Sequence, residues 1–345
     1  MFPQKSDHVG CRSPACGMGQ GCRPSGPAAE ARPEGMEHAI SAVGLQRRFG
    51  DVDAVHSVDL EVQAGAIYGF LGPNGAGKST TVKVLCTLIS PTGGSARVAG
   101  FDVASQATDI RLRIGVALQS SALDPKQTGR ELLDLQGRYY GLNKTDRSRR
   151  VQELSELIDI GDALDRRTGT YSGGMARRLD LAMALVHQPS VVFLDEPTTG
   201  LDPASRASVW EEVRRLNDNH GVTIFLTTQY LEEADELADR VAIIDGGRIV
   251  AEGTPDELKR SIGSDVIIAT VASDIDRAKV VAATVDSCGP VEIHGPELTI
   301  VTSNGAASIG PVAIALAAAG ITVTSMTLRR PTLDDVFLEL TGAHL

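Results

Sequence analysis

Hydrophobic and polar positions divide the chain into stretches of different character. Residues 1–35 are rich in Pro, Gly, Ser, Cys and Arg, and no apolar position repeats. Such a stretch buries too little apolar surface to offset the entropy of ordering, and it predicts a disordered tail. Met36 opens the first patterned segment and stands as an alternative start. From 39 to about 254, short β-branched runs at 66–71, 114–118, 191–194, 222–227 and 241–244 alternate with longer helix-period stretches. Alternation of that kind predicts an α/β domain over 36–255, with a largely parallel sheet covered by helices. Residues from about 121 to 180 are charged and mostly helix-patterned, and they predict a helical subdomain inserted into that sheet domain.

The pattern changes after Gly253-Thr254-Pro255. Strand-like 266–271, helix-like 274–286, strand-like 291–293 and 298–301, helix-like 306–319 and strand-like 322–328 follow in turn. This β-α-β-β-α-β order predicts a small ferredoxin-like α+β domain over 256–345. A last helix, 333–340, is capped by Thr332 and ends at Gly342.

Composition narrows the function. The 345 residues, 42% hydrophobic and 22% charged, suffice for a large core and a second domain. A balance of 33 Lys+Arg against 44 Asp+Glu gives a net charge of -11, which argues against a general nucleic-acid binder. No run reaches the roughly 18 apolar residues that span a bilayer. The most apolar stretch, 311–319, predicts one buried helix. No charged start followed by an apolar stretch marks a secretory signal, so the expected location is the cytoplasm. Cys11, Cys16 and Cys22, with His8 nearby, suggest a metal knuckle, but gaps of four and five residues are not those of a usual zinc site. Cys86 and Cys288 lie in apolar surroundings and read as reduced core residues.

Two motifs carry chemistry. Gly72-Pro73-Asn74-Gly75-Ala76-Gly77-Lys78-Ser79, followed by Thr80, fits the phosphate-binding loop, with an apolar run before it and a helical one after. Its glycines let successive N–H groups face phosphate oxygens, and the helix start adds the positive end of its dipole. Lys78 is expected to reach the β- and γ-phosphates of ATP, and Ser79 to offer its hydroxyl to Mg2+. A Gly-rich turn that only caps a helix is the plain alternative, and the flanking strand and helix weigh against it. The loop alone does not separate kinases, GTPases and transport ATPases. Residues 191–197, Val-Val-Phe-Leu-Asp195-Glu196-Pro197, read as a buried strand ending in two acids. Asp195 can hold Mg2+ through its water shell, while Glu196 polarises a water for attack on the γ-phosphate.

Tyr171-Ser172-Gly173-Gly174-Met175 lies 20 residues ahead of Val191 and resembles the signature motif of ABC ATPases. Tyr171 and Met175 depart from its common form, LSGGQ, while the central Ser-Gly-Gly is intact. The resemblance implies that these residues bind the γ-phosphate of ATP held by a second copy. It also implies that Phe49 stacks on adenine, that Gln119 touches Mg2+ and couples to a membrane subunit, and that Asp202, in Gly200-Leu201-Asp202, lies in the loop that communicates across the dimer. The motifs agree jointly over about 39–255. Where that family has a switch histidine, this chain has Gln229, which can donate to a γ-phosphate but cannot become cationic.

Gln229 and the ending Arg329-Arg330-Pro331-Thr332-Leu333-Asp334-Asp335-Val336-Phe337-Leu338 resemble the daunorubicin/doxorubicin-resistance group of export ATPases. That resemblance implies an ATP- and Mg2+-dependent ATPase at the cytoplasmic face of the cell membrane. It would act as a homodimer with an integral membrane permease, exporting a hydrophobic drug, antibiotic or lipid. Translation-factor ATPases of this type usually carry two cassettes, and DNA-repair ones a long coiled coil. This chain has one cassette, with about 90 residues and no sustained heptads between loop and signature. A non-enzymatic nucleotide-binding regulator is opposed by Glu196.

Overall fold

The computed structural model describes residues 37–119, 123–158 and 160–342. The candidate knuckle of His8, Cys11, Cys16 and Cys22, and the alternative start at Met36, lie outside the described residues.

Strands β1 (His38–Phe49), β2 (Val52–Gln63), β4 (Gly93–Val98) and β5 (Phe101–Asp102) make an antiparallel sheet in the order β2-β1-β4-β5. Sequence patterning did not single out this sheet. Along β2 the side chains of Val58, Leu60 and Val62 are buried while Asp59, Glu61 and Gln63 are exposed, so no continuous apolar run marks the strand. A second sheet has the order β10 (Arg248–Gly253), β9 (Arg240–Asp245), β3 (Ile67–Leu71), β8 (Thr223–Thr228), β7 (Val191–Asp195) and β6 (Ile114–Ala117). It is parallel from β9 to β6, with β10 antiparallel at its edge. Its strands β3, β7 and β8 are buried at every residue, which is why they read as continuous apolar runs.

One apolar core, with Val55, Leu60, Phe70, Phe193 and Phe225, joins the antiparallel sheet, the central sheet and helix α1 (Lys78–Leu85). Helix α2 (Ala107–Arg111) follows β5 and buries Ile110 in this core. A second core holds Leu133, Leu154, Leu179, Val192, Leu194 and Leu226. It gathers helices α3 (Gly129–Tyr139), α4 (Lys144–Leu157), α5 (Gly173–Leu185), α6 (Pro203–His220) and α7 (Leu231–Leu237) onto the sheet.

Helix α8 (Pro255–Ile262) starts at a Thr254/Glu257 capping box and leads out of this layer. Strands β11 (Asp265–Val271), β12 (Cys288–His294), β13 (Glu297–Thr302) and β14 (Val323–Arg329) form an antiparallel sheet in the order β12-β13-β11-β14. Helices α9 (Ile275–Ala282) and α10 (Gly305–Ala318) bury Ala278, Ala282, Val312 and Leu316 against it. The expectation of a buried helix at 311–319 is corrected on one face. Ile314 is 72% exposed, because a two-layer domain has no third layer to cover the outer side of α10. Helix α11 (Leu333–Thr341) returns to the α/β layer, where Leu333, Val336 and Phe337 pack with Leu231, Ala234 and Leu258. Burying those three side chains stabilises the attachment by roughly 1.5–3 kcal/mol each. Among the described residues, no helix is long and apolar enough to cross a membrane.

Candidate active site

The loop 72–77 joins β3 to α1, and contacts with its neighbours dictate two of its glycines, Gly72 and Gly77. A Cβ on Gly72 would lie 2.3 Å from the Ile244 carbonyl oxygen, and one on Gly77 2.4 Å from that of Ala54. Gly77 also has φ +107, a conformation L side chains rarely adopt. Asn74 and Gly75 are exposed, Ala76 is buried in the core, and Pro73, Ser79 and Thr80 are half-buried.

Lys78 is 4% exposed. Its Nζ donates to the carbonyls of Gly72 at 2.6 Å and Pro73 at 3.2 Å, and lies 3.3 Å from Glu196 Oε1. The cation therefore bends back over the loop toward the acid at the end of β7. Ser79 Oγ donates to Asp195 Oδ1 at 3.1 Å, and Thr227 Oγ1 to the same oxygen at 2.6 Å. Glu196 Oε2 accepts from Gln119 Nε2 at 3.0 Å and Thr199 Oγ1 at 3.4 Å. Glu196 itself sits at φ +49 and is 7% exposed. For a non-glycine residue this backbone costs about 1–3 kcal/mol, and its N–H is fixed to the Thr227 carbonyl and hydroxyl. The sequence-predicted Lys78, Ser79, Gln119, Asp195 and Glu196 thus converge on one strand end. Such a set of one cation, one hydroxyl, one amide and two carboxylates can hold polyphosphate and a hard cation, and can take a proton from water.

The signature segment is built differently. Ser172 is the N-cap of α5, its Oγ accepting from Met175 N at 3.2 Å, and Ser172 and Gly173 are exposed. Gly173 and Gly174 are the first residues of the helix, whose N–H groups have no carbonyl a turn earlier. The Tyr171 hydroxyl donates to the Ala163 carbonyl at 2.7 Å, and Met175 packs on the helical core, so neither side chain faces outward with Ser172. Likewise Asp202 caps α6, both its oxygens accepting from Ala204 and Ser205. Phe49 ends β1, is 46% exposed, and carries the Arg47 guanidinium 4.4 Å above its ring. Gln229 is half-buried directly after β8, where Thr228 Oγ1 accepts from the Tyr230 N–H at 2.8 Å and turns the chain.

Two buried residues around the site were missed by motif reading. Arg177 donates to the carbonyls of Leu118, Asp195 and Pro197. Its signal is positional, a charge at i of the apolar stripe that continues at Leu181, Ala184 and Leu185. Glu233, fully buried in α7, accepts from Thr198 Oγ1 and from the Nε1 of Trp210, both at 2.9 Å. Burial raises its pKa above the ordinary carboxylate value, and those hydrogen bonds pull the other way.

A groove of about 320 Å3 opens where β6, α3 and α5 meet the end of α1. Leu88, Val116, Gln136, Tyr140, Met183 and His187 line it. The rings of Tyr140 and His187 stack at 3.7 Å, and burial depresses the His187 pKa to about 4.

Known proteins match this arrangement along nearly its whole length. A profile of the ABC transporter family matches residues 55–199, and one of the DrrA1-3-like ATP-binding protein C-terminal domain matches 253–341. The daunorubicin resistance ATP-binding protein DrrA2 of Streptomyces coeruleorubidus is 47% identical over 313 residues, covering 88% of this chain and 95% of its own. The doxorubicin resistance ATP-binding protein DrrA of Mycobacterium tuberculosis is 42% identical over 312 residues, with 88% and 93% covered. The linearmycin resistance ATP-binding protein LnrL of Bacillus subtilis is 34% identical over 311 residues, with 89% and 99% covered. Among solved structures, an ATP-binding subunit of an ABC transporter superposes with TM-score 0.59 at 27% identity, covering 65% of this chain and 93% of that one. A dimeric ATP-binding cassette in a post-hydrolysis state, bound to ADP and Pi, gives 0.57 at 23% identity, with 62% and 98% covered. The chain belongs to the ABC transporter family, as an ATP-hydrolysing subunit of the group that holds the daunorubicin- and doxorubicin-resistance ATP-binding proteins.

Proposed function

We propose that this chain powers export of a hydrophobic, drug-like cargo through a separate membrane subunit, working as a homodimer whose two ATP sites are each shared between copies. The carrying observation is the division of one phosphate chemistry between two places. The loop, Lys78 and the Asp195–Glu196 turn make a buried half-site. Ser172 and Gly173 offer an exposed helix start on another element. An exposed anion-binding helix start is completed by nucleotide from a second copy.

In this reading the N–H groups of 74–79 and Lys78 hold the β- and γ-phosphates, and Phe49 stacks on the base. Glu196, oriented by Gln119 and Thr199, takes the proton of the attacking water. Ser79 and Asp195 present oxygen donors 3.1 Å apart, a set suited to a hard cation. Bound Mg2+ would supply charge neutralisation on the phosphates. Gln229, neutral at every working pH, donates to the γ-phosphate without a histidine-like titration. The groove under β6, whose chain runs on to Gln119, is lined by Leu88, Val116 and Met183 together with Arg111 and Asp180, and would take a helix of the membrane subunit. That docking would keep the chain at the cytoplasmic face of the membrane. The names of relatives that confer resistance to daunorubicin and linearmycin support the cargo class.

Glu196→Gln tests the reading, since it keeps the fold and the Gln119 contact but removes the base. With saturating MgATP it is expected to sediment as a dimer and to retain ATP. A monomer under those conditions would sink the shared-site arrangement.

A further inference from the structure

We propose that Arg177 is a positioning residue that ties the exposed start of its own helix to the Glu196 turn, and so couples the two active sites of the dimer. This rests on the shared-site reading above. Arg177 lies about one and a half turns after Ser172 on α5. Its Nε donates to the Pro197 carbonyl at 2.9 Å and its Nη2 to the Asp195 carbonyl at 3.2 Å. Those two carbonyls bracket Glu196, the residue held at φ +49. Nη1 donates to the Leu118 carbonyl at 2.6 Å, immediately before Gln119, whose amide donates to Glu196 Oε2 at 3.0 Å. A second bond from Nη1 reaches Asp180 Oδ2 at 3.2 Å, one turn along the same helix.

One planar guanidinium therefore grips the backbone on both sides of the base and the backbone of the residue that orients it. The side chain is buried, and charge-assisted bonds in such surroundings are strong and directional. Only a fork of fixed N–H groups serves three carbonyls at once; a lysine ammonium on a flexible stem does not reproduce it. In the dimer, the start of α5 meets the nucleotide held by the other copy, whereas Glu196 acts on the nucleotide in its own loop. A displacement of α5 on meeting that nucleotide is delivered through Arg177 to the peptide that aims Glu196. The geometry makes hydrolysis in one site depend on occupancy of the other.

The test compares full-length wild type, Arg177→Lys and Arg177→Met in steady-state ATPase assays, with nucleotide binding and thermal melting measured alongside. Arg177→Lys is expected to lower kcat about 100-fold while KM for MgATP stays within about threefold. The Hill coefficient for ATP should fall from near two toward about one. The double variant Glu196→Gln/Arg177→Lys should still dimerise with ATP, which separates positioning from assembly. Arg177→Met should match the lysine variant in kcat if it folds, and the lysine variant carries the test if it does not. Wild-type kcat in Arg177→Lys, a lowered kcat with an unchanged Hill coefficient, or a loss that follows melting temperature and nucleotide affinity would each overturn the proposal. Failure of Glu196→Gln alone to dimerise would instead overturn the shared-site reading beneath it.

Discussion

The two halves of the phosphate site are built on opposite principles. Asp195 and Glu196 sit at the end of a fully buried strand and Lys78 at the buried start of α1, and neighbouring backbone and side chains accept or donate every contact named above. Ser172 and Gly173 are exposed, held by the Ser172 helix cap and the Ala176 N–H bond to the Ser172 carbonyl. The buried half is closed on itself, with Lys78 and Ser79 held by protein partners that phosphate and a cation would replace. The exposed half has polar groups that water satisfies until phosphate replaces it. In the proposed function, chemistry belongs to the first half and timing to the second.

Substitutions on either side sharpen the contrast. Lys78→Ala should have the largest effect, lowering ATP hydrolysis by at least about 1,000-fold and weakening nucleotide binding to a single copy. Gly173→Asp places an acid at the exposed helix start, where a Cβ meets only the Leu201 side chain at 3.6 Å. It should fold, bind ATP as a single copy with wild-type affinity, and lose about 100-fold in kcat. If it abolished single-copy binding instead, the two halves would not be separable. Glu233→Ala leaves the buried Thr198 and Trp210 donors without their acceptor, a loss of about 1–3 kcal/mol by thermal melting. Because Trp210 is the chain's one tryptophan, its fluorescence should also shift.

The last effect concerns pH. Burial holds the His187 pKa near 4, below its value of 6.5 in the unfolded chain. A base whose folded pKa is depressed contributes stability that is complete above about 6.5 and is lost as pH falls toward 4. His187→Phe keeps the stack on Tyr140 and should flatten the melting curve between pH 6.5 and 4, by up to about 3 kcal/mol at the acid end. An unchanged pH profile would assign that acid sensitivity to other groups.

Legibility in the sequence followed the same division. The phosphate loop and the Asp195–Glu196 strand end stood out because their strands are buried on both faces, and only glycine fits at Gly72 and Gly77. Strands β1 and β2 did not, because one face of each meets water and the apolar signal alternates. The buried braces were harder still. Arg177 and Glu233 satisfy main-chain carbonyls and distant donors, partners that residue spacing does not encode. The local partners of Tyr171, Met175 and Asp202 were equally hidden: a carbonyl eight residues back, the helical core and the start of α6 are not encoded in the motifs that contain them. The outer face of α10 is apolar throughout, so composition alone suggested burial that a two-layer domain does not provide.

Sedimentation of Glu196→Gln with and without MgATP tests the central claim most directly. The account predicts a monomer without nucleotide and a stable dimer retaining two ATP molecules with it. Addition of Gly173→Asp to that variant should return it to the monomer. A species that stays monomeric at saturating ATP, or a dimer indifferent to Gly173→Asp, would contradict the division of the site between two copies.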